Sequence, residues 1–291
     1  MNQPVFRFAP SPHDHLHLGH AYSAMLNAKM AAEMGGRFLL RIEDIDSTRC
    51  NPDFEKSIYD DLRWLGLEWE TPVRRQSEHF SEYRNALTRL ADMGLVYPAF
   101  LSRAQLHSRI KEAQSKGEVW PCDPDATPLY PIDERDMTED QQLQMIATGI
   151  PYAWRINMDK ALATINKPLY WNETGVGPRG ETGRITAEPE KWGDVIIARN
   201  DTPTSYHLSV VVDDALQGVT HIVRSHDLFY VTSIHRLLQE LLELPVPLYH
   251  HHKLVREEDG AKLSKTRRKL SLKELRAEGW TPEAIREELK I

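Results

Sequence analysis

The fold of this 291-residue chain is decided by one stretch near its N-terminus, Arg7-Phe8-Ala9-Pro10-Ser11-Pro12-His13-Asp14-His15-Leu16-His17-Leu18-Gly19-His20. The stretch continues a short extended run, Val5 to Ala9, and leads into a segment, Ala21 to Met34, whose small apolar residues recur at helical spacing. A loop between a strand and a helix N-terminus presents backbone N–H groups and the positive helix end, which attract anions. Gly19 allows a nucleotide to approach the backbone closely. We therefore predict a phosphate-binding strand–loop–helix unit.

Four histidines lie within eight residues of this loop. His17 and His20 are three positions apart, so they point to the same side of the first helical turn. Imidazoles there can donate hydrogen bonds to a phosphoryl group as charge develops on it. Histidine is also a common metal ligand, but no acidic or cysteine residue stands at the spacing typical of zinc sites. A loop that is merely rich in histidine is the third interpretation.

The segments that follow alternate between strand and helix. The run Arg37 to Ile42 predicts a buried strand, and Asn51 as N-cap with Pro52 predicts a helix that ends near Gly66. A further helix is predicted from about Glu78 to Met93. Strand and helix in alternation are typical of a parallel sheet. We predict the α/β class: a Rossmann-type parallel-sheet catalytic domain with an inserted α+β domain and a short helical C-terminal region.

The predicted domain limits follow changes in composition. Residues 1–93 and 191–254 form the predicted catalytic domain, and residues 94–190 form the insertion, which is rich in proline and acid between 117 and 140. Residues 255–291 hold a basic loop and a short helical tail.

Two apolar runs beyond the insertion are interpreted as further strands of the parallel sheet. They are Asp194 to Ile197 and His207 to Val212. A long amphipathic helix is predicted after them, from about Leu228 to Leu242.

Composition limits the class of function. The chain has 36 Lys and Arg against 43 Asp and Glu, which gives a formal charge of −7. No apolar run approaches the ~20 residues needed to cross a bilayer, no signal-peptide stretch opens the chain, and only two cysteines occur. We expect a cytoplasmic protein without membrane contact. The net charge argues against a chain that coats nucleic acid along its whole surface, although a local basic cluster can still bind it.

Such a cluster lies at Lys262 to Lys269, where five of eight residues are basic and none is acidic. A run of this kind is usually a solvated face. The histidine loop gives it more weight, because a polyphosphate needs cations on the side opposite the helix end.

The two clusters together resemble the signatures of class I aminoacyl-tRNA synthetases. His17-Leu18-Gly19-His20 is similar to their first signature and Lys262-Leu263-Ser264-Lys265 to their second. Other stretches are similar to the glutamyl branch of that family: Arg7 to Pro12, Leu40 to Asp46 with Arg49, Tyr206 to Leu208 with Val211 to Asp214, and His221 to Arg224. The resemblance covers essentially the whole chain.

The chain resembles one branch of that family in its length. Only 25 residues follow Thr266, too few for the helical domain that reads the anticodon in glutamyl-tRNA synthetases. Relatives of that length are the glutamyl-Q tRNA(Asp) synthetases, and the resemblance implies that L-glutamate is activated by ATP with Mg²⁺ and transferred to queuosine in tRNA(Asp). We expect a monomer.

Three alternatives stay open. A shortened glutamyl-tRNA synthetase would charge a tRNA 3′ end. A small-molecule ligase of the same superfamily would use ATP but ignore tRNA. A binding paralogue would keep the fold without forming an adenylate.

The resemblance implies site residues at matching positions. The implied glutamate site comprises Arg7, Ala9, Ser11, Glu43, Tyr206 and Arg224. The implied ATP site comprises His17, Gly19, His20, Lys262, Leu263, Ser264 and Lys265, of which His17, His20, Lys262 and Lys265 are catalytic. These types suit glutamate, because a guanidinium holds a carboxylate bidentately, Glu43 can pair with the α-ammonium and Tyr206 can donate its hydroxyl. Arg41, Asp44 and Asp46 are interpreted as support for the loop.

The sequence departs from the family at a metal position. Many glutamyl-Q enzymes bind zinc in the insertion through a Cys-x-Cys pair, a tyrosine and a further cysteine. The corresponding stretch here, Tyr97 to Ser102, lacks the pair, and the remaining Tyr130 and Cys122 do not make a tetrahedral site. We predict no zinc and no other protein-bound metal.

Histidines at two further places lie outside this site assignment or depart from the family pattern. His20 stands where glutamyl enzymes more often carry a small residue, and it either adds a phosphate donor or fills space at the helix start. The triplet His250-His251-His252 is interpreted as packing or surface residues.

Overall fold

The computed structural model describes residues 3–255 and 270–291. Within these residues the strands are β1 (Val5–Phe8), β2 (Arg37–Ile42), β3 (Glu70–Arg75), β4 (Val96–Ala99), β5 (Ala153–Ile156), β6 (Tyr170–Glu173), β7 (Gly183–Thr186), β8 (Ile196–Arg199), β9 (His221–Ser225) and β10 (Leu248–His252). The α-helices are α1 (Leu18–Glu33), α2 (Pro52–Trp64), α3 (Phe80–Asp92), α4 (Arg103–Ser115), α5 (Glu139–Ala147), α6 (Met158–Thr164), α7 (Tyr206–Leu216), α8 (Thr232–Leu241), α9 (Leu272–Ala277) and α10 (Pro282–Leu289).

A seven-stranded sheet organises the molecule, in the order β3-β2-β1-β9-β10-β6-β7. Neighbouring strands are parallel except at β7, which is antiparallel to β6. The chain runs from β1 outward to β3, and later returns to the other side of β1 with β9 and β10. This is the Rossmann order, and its direction reverses between β1 and β9. The predicted fold class is confirmed.

The helix α2 forms for the reasons that the sequence indicates. Asn51 accepts a hydrogen bond from the Asp53 N–H at 2.8 Å, and Pro52 occupies the first position of α2, where no N–H is needed. Gly66, with a φ of +75°, follows the C-cap of this helix. The predicted start of α2 is therefore confirmed.

Apolar side chains cover both faces of the large sheet. Phe6, Phe38 and Leu40 pack with α1, α2 and the C-terminal helices, whereas Val5 and Leu39 pack on the other face with α3, α7 and α8. Strands buried on both faces read as continuous apolar runs, which explains why β1 and β2 show no polar alternation. Within the described residues, no helix is long and apolar enough to span a membrane.

A second sheet has three strands in the order β4-β5-β8, all antiparallel. It includes β8, so the apolar run Asp194 to Ile197 leads into this sheet. The prediction that this run adds a strand to the parallel sheet is therefore wrong. Conversely, β6 and β7 lie in the range predicted as an insertion but pair with β10 in the large sheet. The division of the chain into domains stays a prediction.

The run His207 to Val212, which the sequence predicts as a strand, is helical and lies within α7. Residues 208–214 are all buried, because α7 packs between α3 and α8 over the sheet. A helix buried on all sides has no apolar stripe, so its sequence resembles that of a buried strand. The predicted long helix 228–242 is shorter in the structure, where α8 begins at Thr232.

The C-terminal helices pack against the start of the chain. Ser271 caps α9 by accepting from the Glu274 N–H at 3.2 Å, and the Leu272 N–H donates to the Leu16 carbonyl at 2.7 Å. Leu272, Leu275 and Ile285 are fully buried. The tail is therefore part of the core beside α1 and α2.

Candidate active site

The candidate site lies at the carboxyl edge of the large sheet, where the strand order reverses. Arg7 is near the end of β1, Glu43 directly follows β2, and Arg224 is near the end of β9. Carboxyl ends of parallel strands meet at one edge, and the reversal point opens a crevice there. Tyr206 opens α7 at the same edge.

Asp214 joins the residues of β1 and β2. It accepts from Arg7 Nε at 3.0 Å and Nη2 at 3.3 Å, and from Arg41 Nη1 at 2.7 Å. Arg41 also donates to Glu43 Oε1 at 3.1 Å. Arg7, Arg41 and Asp214 are each no more than 5% exposed. This buried ion-pair chain brings Arg7 and Glu43 together, with Arg41 as the residue that links them.

The charges around Glu43 and Tyr206 act on both groups. Burial raises the pKa of Glu43, although the nearby Arg41 and Arg7 guanidiniums favour its ionised form. Burial also raises the pKa of Tyr206, with Arg224 and Arg7 opposing the rise and Glu43 adding to it. Tyr206 is therefore a neutral phenol that can donate a hydrogen bond.

Arg224 has a different environment from Arg7. Its Nε donates to His251 Nε2 at 3.1 Å, its Nη1 lies 3.1 Å from His235 Nδ1, and its Nη2 donates to the Thr232 hydroxyl at 2.7 Å. The guanidinium also lies over the Tyr249 ring, 5.4 Å from the centroid. In the part of the chain that the structure describes, no carboxylate forms an ion pair with it.

The histidine next to Arg224 is buried, and both of its ring nitrogens have hydrogen-bond partners. His251 is opposite Arg224 in the register of β9 and β10. Its Nδ1 lies 2.6 Å from Glu173 Oε2, and neither side chain is exposed. The interpretation of the 250–252 triplet as packing or surface residues agrees with the burial of His251 and its ring contacts with Phe229 and Tyr249, but it does not include these hydrogen bonds.

Ala9 and Ser11 lie in the loop after β1. The loop is held by the Glu43 N–H, which donates to the Pro10 carbonyl at 2.9 Å, and by the Asn51 N–H, which donates to the Pro12 carbonyl at 3.0 Å. The six predicted glutamate-site residues thus lie on elements that meet at one edge of the sheet.

His17 and His20 cap α1 with their own rings. The Gly19 N–H donates to His17 Nδ1 at 3.0 Å, and the His17 N–H donates to His20 Nδ1 at 3.2 Å. The ring centroids are 3.9 Å apart. A Cβ on residue 19 would lie 2.9 Å from the His17 ring, so glycine is required for this cap. These two N–H groups are not free for a phosphate, contrary to the prediction.

The protonation of the two rings follows from the cap. Burial lowers the pKa of His17, and burial together with the neighbouring His17 and His13 lowers the pKa of His20 to about 3. Both rings are neutral near pH 7. Because each Nδ1 accepts from the backbone, each Nε2 carries the proton and is available as a donor.

Lys262, Leu263, Ser264 and Lys265 lie outside the described residues. Val255 and Leu270, the described residues on either side, both pack against the apolar cluster that contains Leu16 and Leu18. An isolated β-bridge joins His17 to Ser271. Leu270, next to Ser271, is therefore close to the histidine cap.

A cleft of about 900 Å³ opens beside Tyr206, one of the glutamate-site residues. Tyr206 and His207 form one side, residues 45–49 another, and α4 with the small sheet forms the rest. Arg49, Arg103 and Arg199 are exposed on its walls. The cleft therefore extends from the start of α7 to the small sheet.

The position of the family's zinc ligands holds a hydrogen-bonded cluster. Tyr130 donates to the Glu134 carboxylate, which also accepts from the Phe100 N–H at 3.0 Å, and the Leu101 N–H donates to the Tyr130 oxygen at 3.1 Å. A phenol and a carboxylate that already have partners do not fit a zinc site. In the described ranges, no three His, Cys, Asp or Glu side chains converge as metal ligands.

Several residues of the site were missed in the sequence. They are Asp214 as the partner of Arg7, Glu173, Thr232, His235 and His251. Only Asp214 carried a signal, since it ends the stretch Val211 to Asp214 that resembles the glutamyl branch. The others come from strands and helices that sequence patterns do not place next to Arg224.

Comparisons with known proteins agree with this geometry. A family model described as tRNA synthetases class I (E and Q), catalytic domain, matches residues 5–291. A "Glutamyl-Q tRNA(Asp) synthetase" of Rhodobacter capsulatus is 46% identical over 283 residues, which cover 97% of this chain and 98% of the relative. A "Glutamate--tRNA ligase" of Aquifex aeolicus is 34% identical over 285 residues, covering 98% of this chain.

The longer relatives match over part of their length. The chain spans 56% of the Aquifex ligase. The crystal structure of a glutamate-tRNA synthetase from Elizabethkingia anophelis superposes with a TM-score of 0.74 at 25% identity, over 91% of this chain and 53% of that one. The chain is thus similar over nearly its whole length to enzymes that attach glutamate to tRNA.

Proposed function

Because the chain belongs to the class I tRNA synthetases of the E and Q group, we propose that it activates L-glutamate with ATP and transfers the glutamyl group to queuosine in the anticodon of tRNA(Asp). We include in the proposal that the enzyme acts as a cytoplasmic monomer. The higher identity to the Rhodobacter relative than to the Aquifex ligase favours queuosine over a tRNA 3′ end.

The observation that carries the choice of amino acid is the charge arrangement at the sheet edge. Arg224 is a buried cation whose hydrogen bonds all go to neutral groups, so a ligand carboxylate supplies its counter-ion. Glu43 faces the same crevice as a carboxylate and pairs with the α-ammonium of glutamate. Tyr206 donates its hydroxyl. Arg7 has two of its nitrogens on Asp214 and keeps Nη1 for the ligand.

In the first step, an oxygen of the glutamate α-carboxylate attacks the α-phosphorus of ATP and pyrophosphate leaves. His17 and His20 stabilise the developing charge through their Nε2–H donors. Lys262 and Lys265 act from the opposite side. Mg²⁺, which ATP brings with it, neutralises phosphate charge and needs few protein ligands. The protein acts mainly by positioning.

In the second step, a hydroxyl of the queuosine cyclopentenediol attacks the carbonyl of the adenylate and AMP leaves. The base enters through the cleft, unstacked from its neighbours, as single-stranded bases recognised by proteins usually are. Arg49, Arg103 and Arg199 on the cleft, with Arg267, Arg268 and Lys269, contact RNA phosphates and give a salt-dependent affinity.

Pyrophosphate exchange tests the activation step. The purified chain is mixed with ATP, labelled pyrophosphate and glutamate, without tRNA. We expect label in ATP with glutamate and none with aspartate. A chain that gives no exchange with glutamate is not an activating enzyme, and the proposal fails.

The acceptor is tested with radiolabelled glutamate and two preparations of tRNA(Asp), with and without queuosine, each lacking the 3′-terminal adenosine. We expect label only on the queuosine-containing tRNA. Equal labelling of both preparations contradicts queuosine as acceptor. Labelling of intact tRNA(Glu) that is lost with its terminal adenosine supports a 3′-end charging enzyme instead.

A further inference from the structure

We propose that Glu173 and His251 are positioning residues for Arg224: they hold its guanidinium as a cation without a carboxylate partner, and thereby set the preference for glutamate over glutamine. This inference rests on the proposed function, because it assigns to Arg224 the binding of the side-chain carboxylate of glutamate. It concerns residues that do not themselves contact the substrate.

The three side chains lie in a row across adjacent strands. Arg224 on β9 is opposite His251 on β10 in the sheet register, and Glu173 ends β6, the next strand. Glu173 Oε2 is 2.6 Å from His251 Nδ1, and His251 Nε2 is 3.1 Å from Arg224 Nε. The sheet itself therefore sets the spacing of the row.

The tautomer of His251 follows from its two neighbours. A guanidinium only donates, so His251 Nε2 is an acceptor and the proton of the neutral ring is on Nδ1. That proton points at Glu173. Burial lowers the pKa of His251 to about 4, so the ring is neutral near pH 7. Burial favours the neutral acid at Glu173, but hydrogen bonds from the His251 ring and backbone outweigh it and lower the pKa of Glu173.

Both carboxylate oxygens of Glu173 accept hydrogen bonds. Its Oε1 accepts from the His251 N–H at 2.8 Å and the Gly175 N–H at 2.9 Å, while Oε2 accepts the hydrogen bond from His251 Nδ1–H. The imidazole separates this negative charge from Arg224. Arg224 is thus oriented by the row and is not neutralised by direct contact with Glu173.

A second histidine, His235, accepts a hydrogen bond on the other side of the Arg224 guanidinium. His235 Nδ1 is 3.1 Å from Arg224 Nη1, so it accepts, and its Nε2 proton points to His207 Nδ1 at 3.4 Å. Burial and the Arg224 charge hold the pKa of His235 well below its usual value. Both histidine partners of Arg224 are therefore neutral imidazoles, and its third partner is the Thr232 hydroxyl.

Arg7 gives the contrast. Two of its nitrogens are paired directly with the Asp214 carboxylate, whereas no carboxylate of the described residues pairs with Arg224. Within these residues, the positive charge of Arg224 is therefore not compensated by direct contact. A carboxylate ligand can form an ion pair with Arg224. A carboxamide of the same shape cannot, because it is neutral, has only one acceptor oxygen and places its NH₂ donors next to the guanidinium donors.

The variant Glu173→Gln separates this proposal from a simple packing role. The amide oxygen of the new side chain can still accept from the two backbone N–H groups, but its NH₂ faces His251 Nδ1. The ring proton then moves to Nε2, where it opposes the Arg224 Nε–H. The volume of the side chain is almost unchanged.

We expect E173Q to raise the KM for glutamate at least tenfold in pyrophosphate exchange, with the KM for ATP within twofold, and to lower the ratio of glutamate to glutamine activity at least tenfold. Glu173→Asp keeps the carboxylate and should recover part of the effect. His250→Gln is the matched control, since His250 points to the other face and contacts Thr174 Oγ1 at 3.2 Å. It should leave both KM values within twofold.

The proposal is overturned if E173Q changes the KM values for glutamate and ATP equally, or changes neither. A second measurement does not depend on activity: ¹⁵N NMR of the wild-type histidines should show His251 with Nδ1 protonated, and the opposite tautomer also overturns it. If wild-type protein shows no exchange with glutamate while the tautomer is as stated, the proposed function fails and not the arrangement around Arg224.

Discussion

Glu43 has a role that a single substitution tests. Glu43→Gln keeps an oxygen for Arg41, which lies 3.1 Å away, but removes the charge that faces the α-ammonium of glutamate. A hydrogen bond to a charged group contributes about 1.5–3 kcal/mol, so we expect the KM for glutamate to rise roughly 10- to 100-fold while the KM for ATP stays within threefold. Pyrophosphate exchange with varied glutamate and varied ATP measures both.

The control for this prediction is Glu70→Gln. Glu70 pairs with Arg37 at 2.6 Å on the neighbouring strand, but both side chains are more than 40% exposed. It should leave both KM values unchanged. A Glu43→Gln enzyme with a normal KM for glutamate would place the ammonium elsewhere.

Asp61 on α2 is a buried carboxyl that destabilises the folded chain at neutral pH. It is 2% exposed, and burial raises its pKa to about 6, although His15, Ser57 and Arg276 oppose the rise. The folded state therefore binds more protons than the unfolded state between pH 3.8 and 6, and this contribution to stability is lost as pH rises through that window.

We expect Asp61→Asn to raise the free energy of unfolding at pH 7.5 by about 1–2 kcal/mol, because the amide carries no charge to desolvate. The gain should shrink towards zero at pH 4, where the folded-state carboxyl is itself protonated. Urea unfolding at both pH values measures it. Asp60→Asn is the control, since Asp60 is 51% exposed and pairs only weakly with Arg63 at 3.7 Å. A gain that is equal at both pH values would contradict the role of charge.

At the scale of single elements, the cluster of Tyr130 and Glu134 ties the segment before α5 to the end of β4. Glu134→Ala leaves the Phe100 N–H and the Tyr130 hydroxyl without their acceptor. Losing the partner of a buried donor costs about 1–3 kcal/mol, so we expect that loss in the free energy of unfolding. Glu118→Ala, an exposed residue of the same region, should change it by less than about 0.5 kcal/mol.

We interpret the cluster of Tyr130 and Glu134 as standing where the resemblance implies a zinc site in other glutamyl-Q enzymes. The melting temperature of the wild-type chain should therefore be the same with and without a chelator such as EDTA. A clear drop with the chelator would show that a metal holds this part of the chain.

The helices and strands show which sequence patterns are reliable. Caps and breakers placed α2 correctly, because Asn51, Pro52 and Gly66 act through local backbone geometry. The run at α7 was misread because tertiary packing surrounds it, and valines in a fully buried helix give no period. Strand partners were misread for β6 and β8, since a short strand does not reveal which sheet it joins.

At the scale of the whole molecule, the C-terminal tail is part of the main core. Ile285 of α10 is fully buried in the cluster that contains Leu16 and Ile58. We expect Ile285→Ala to lower the free energy of unfolding by roughly 2–4 kcal/mol, in a single transition seen by both circular dichroism and tryptophan fluorescence. Glu283→Ala, on the same helix and 79% exposed, is the control. A separate early transition for the tail would contradict a shared core.

The site could be predicted from the sequence only in part. Arg7, Glu43, Tyr206 and Arg224 were identified through their motifs, and the fold brings them to one edge. The residues that orient Arg224 come from β6, β10 and α8, and their proximity arises from strand order. No local pattern encodes that order, because each partner lies on a different element from Arg224.

The strand order of the large sheet also determines which strands lie at its edges, where aggregation between copies could begin. Its two outer strands are β3 and β7. The first has six residues and carries Pro72, which offers no N–H, and the charged Arg74 and Arg75. The second has only four residues and exposes Arg184. Edges of this kind resist pairing with the edge of another copy. The sheet therefore gives little template for edge-to-edge aggregation, even at high concentration.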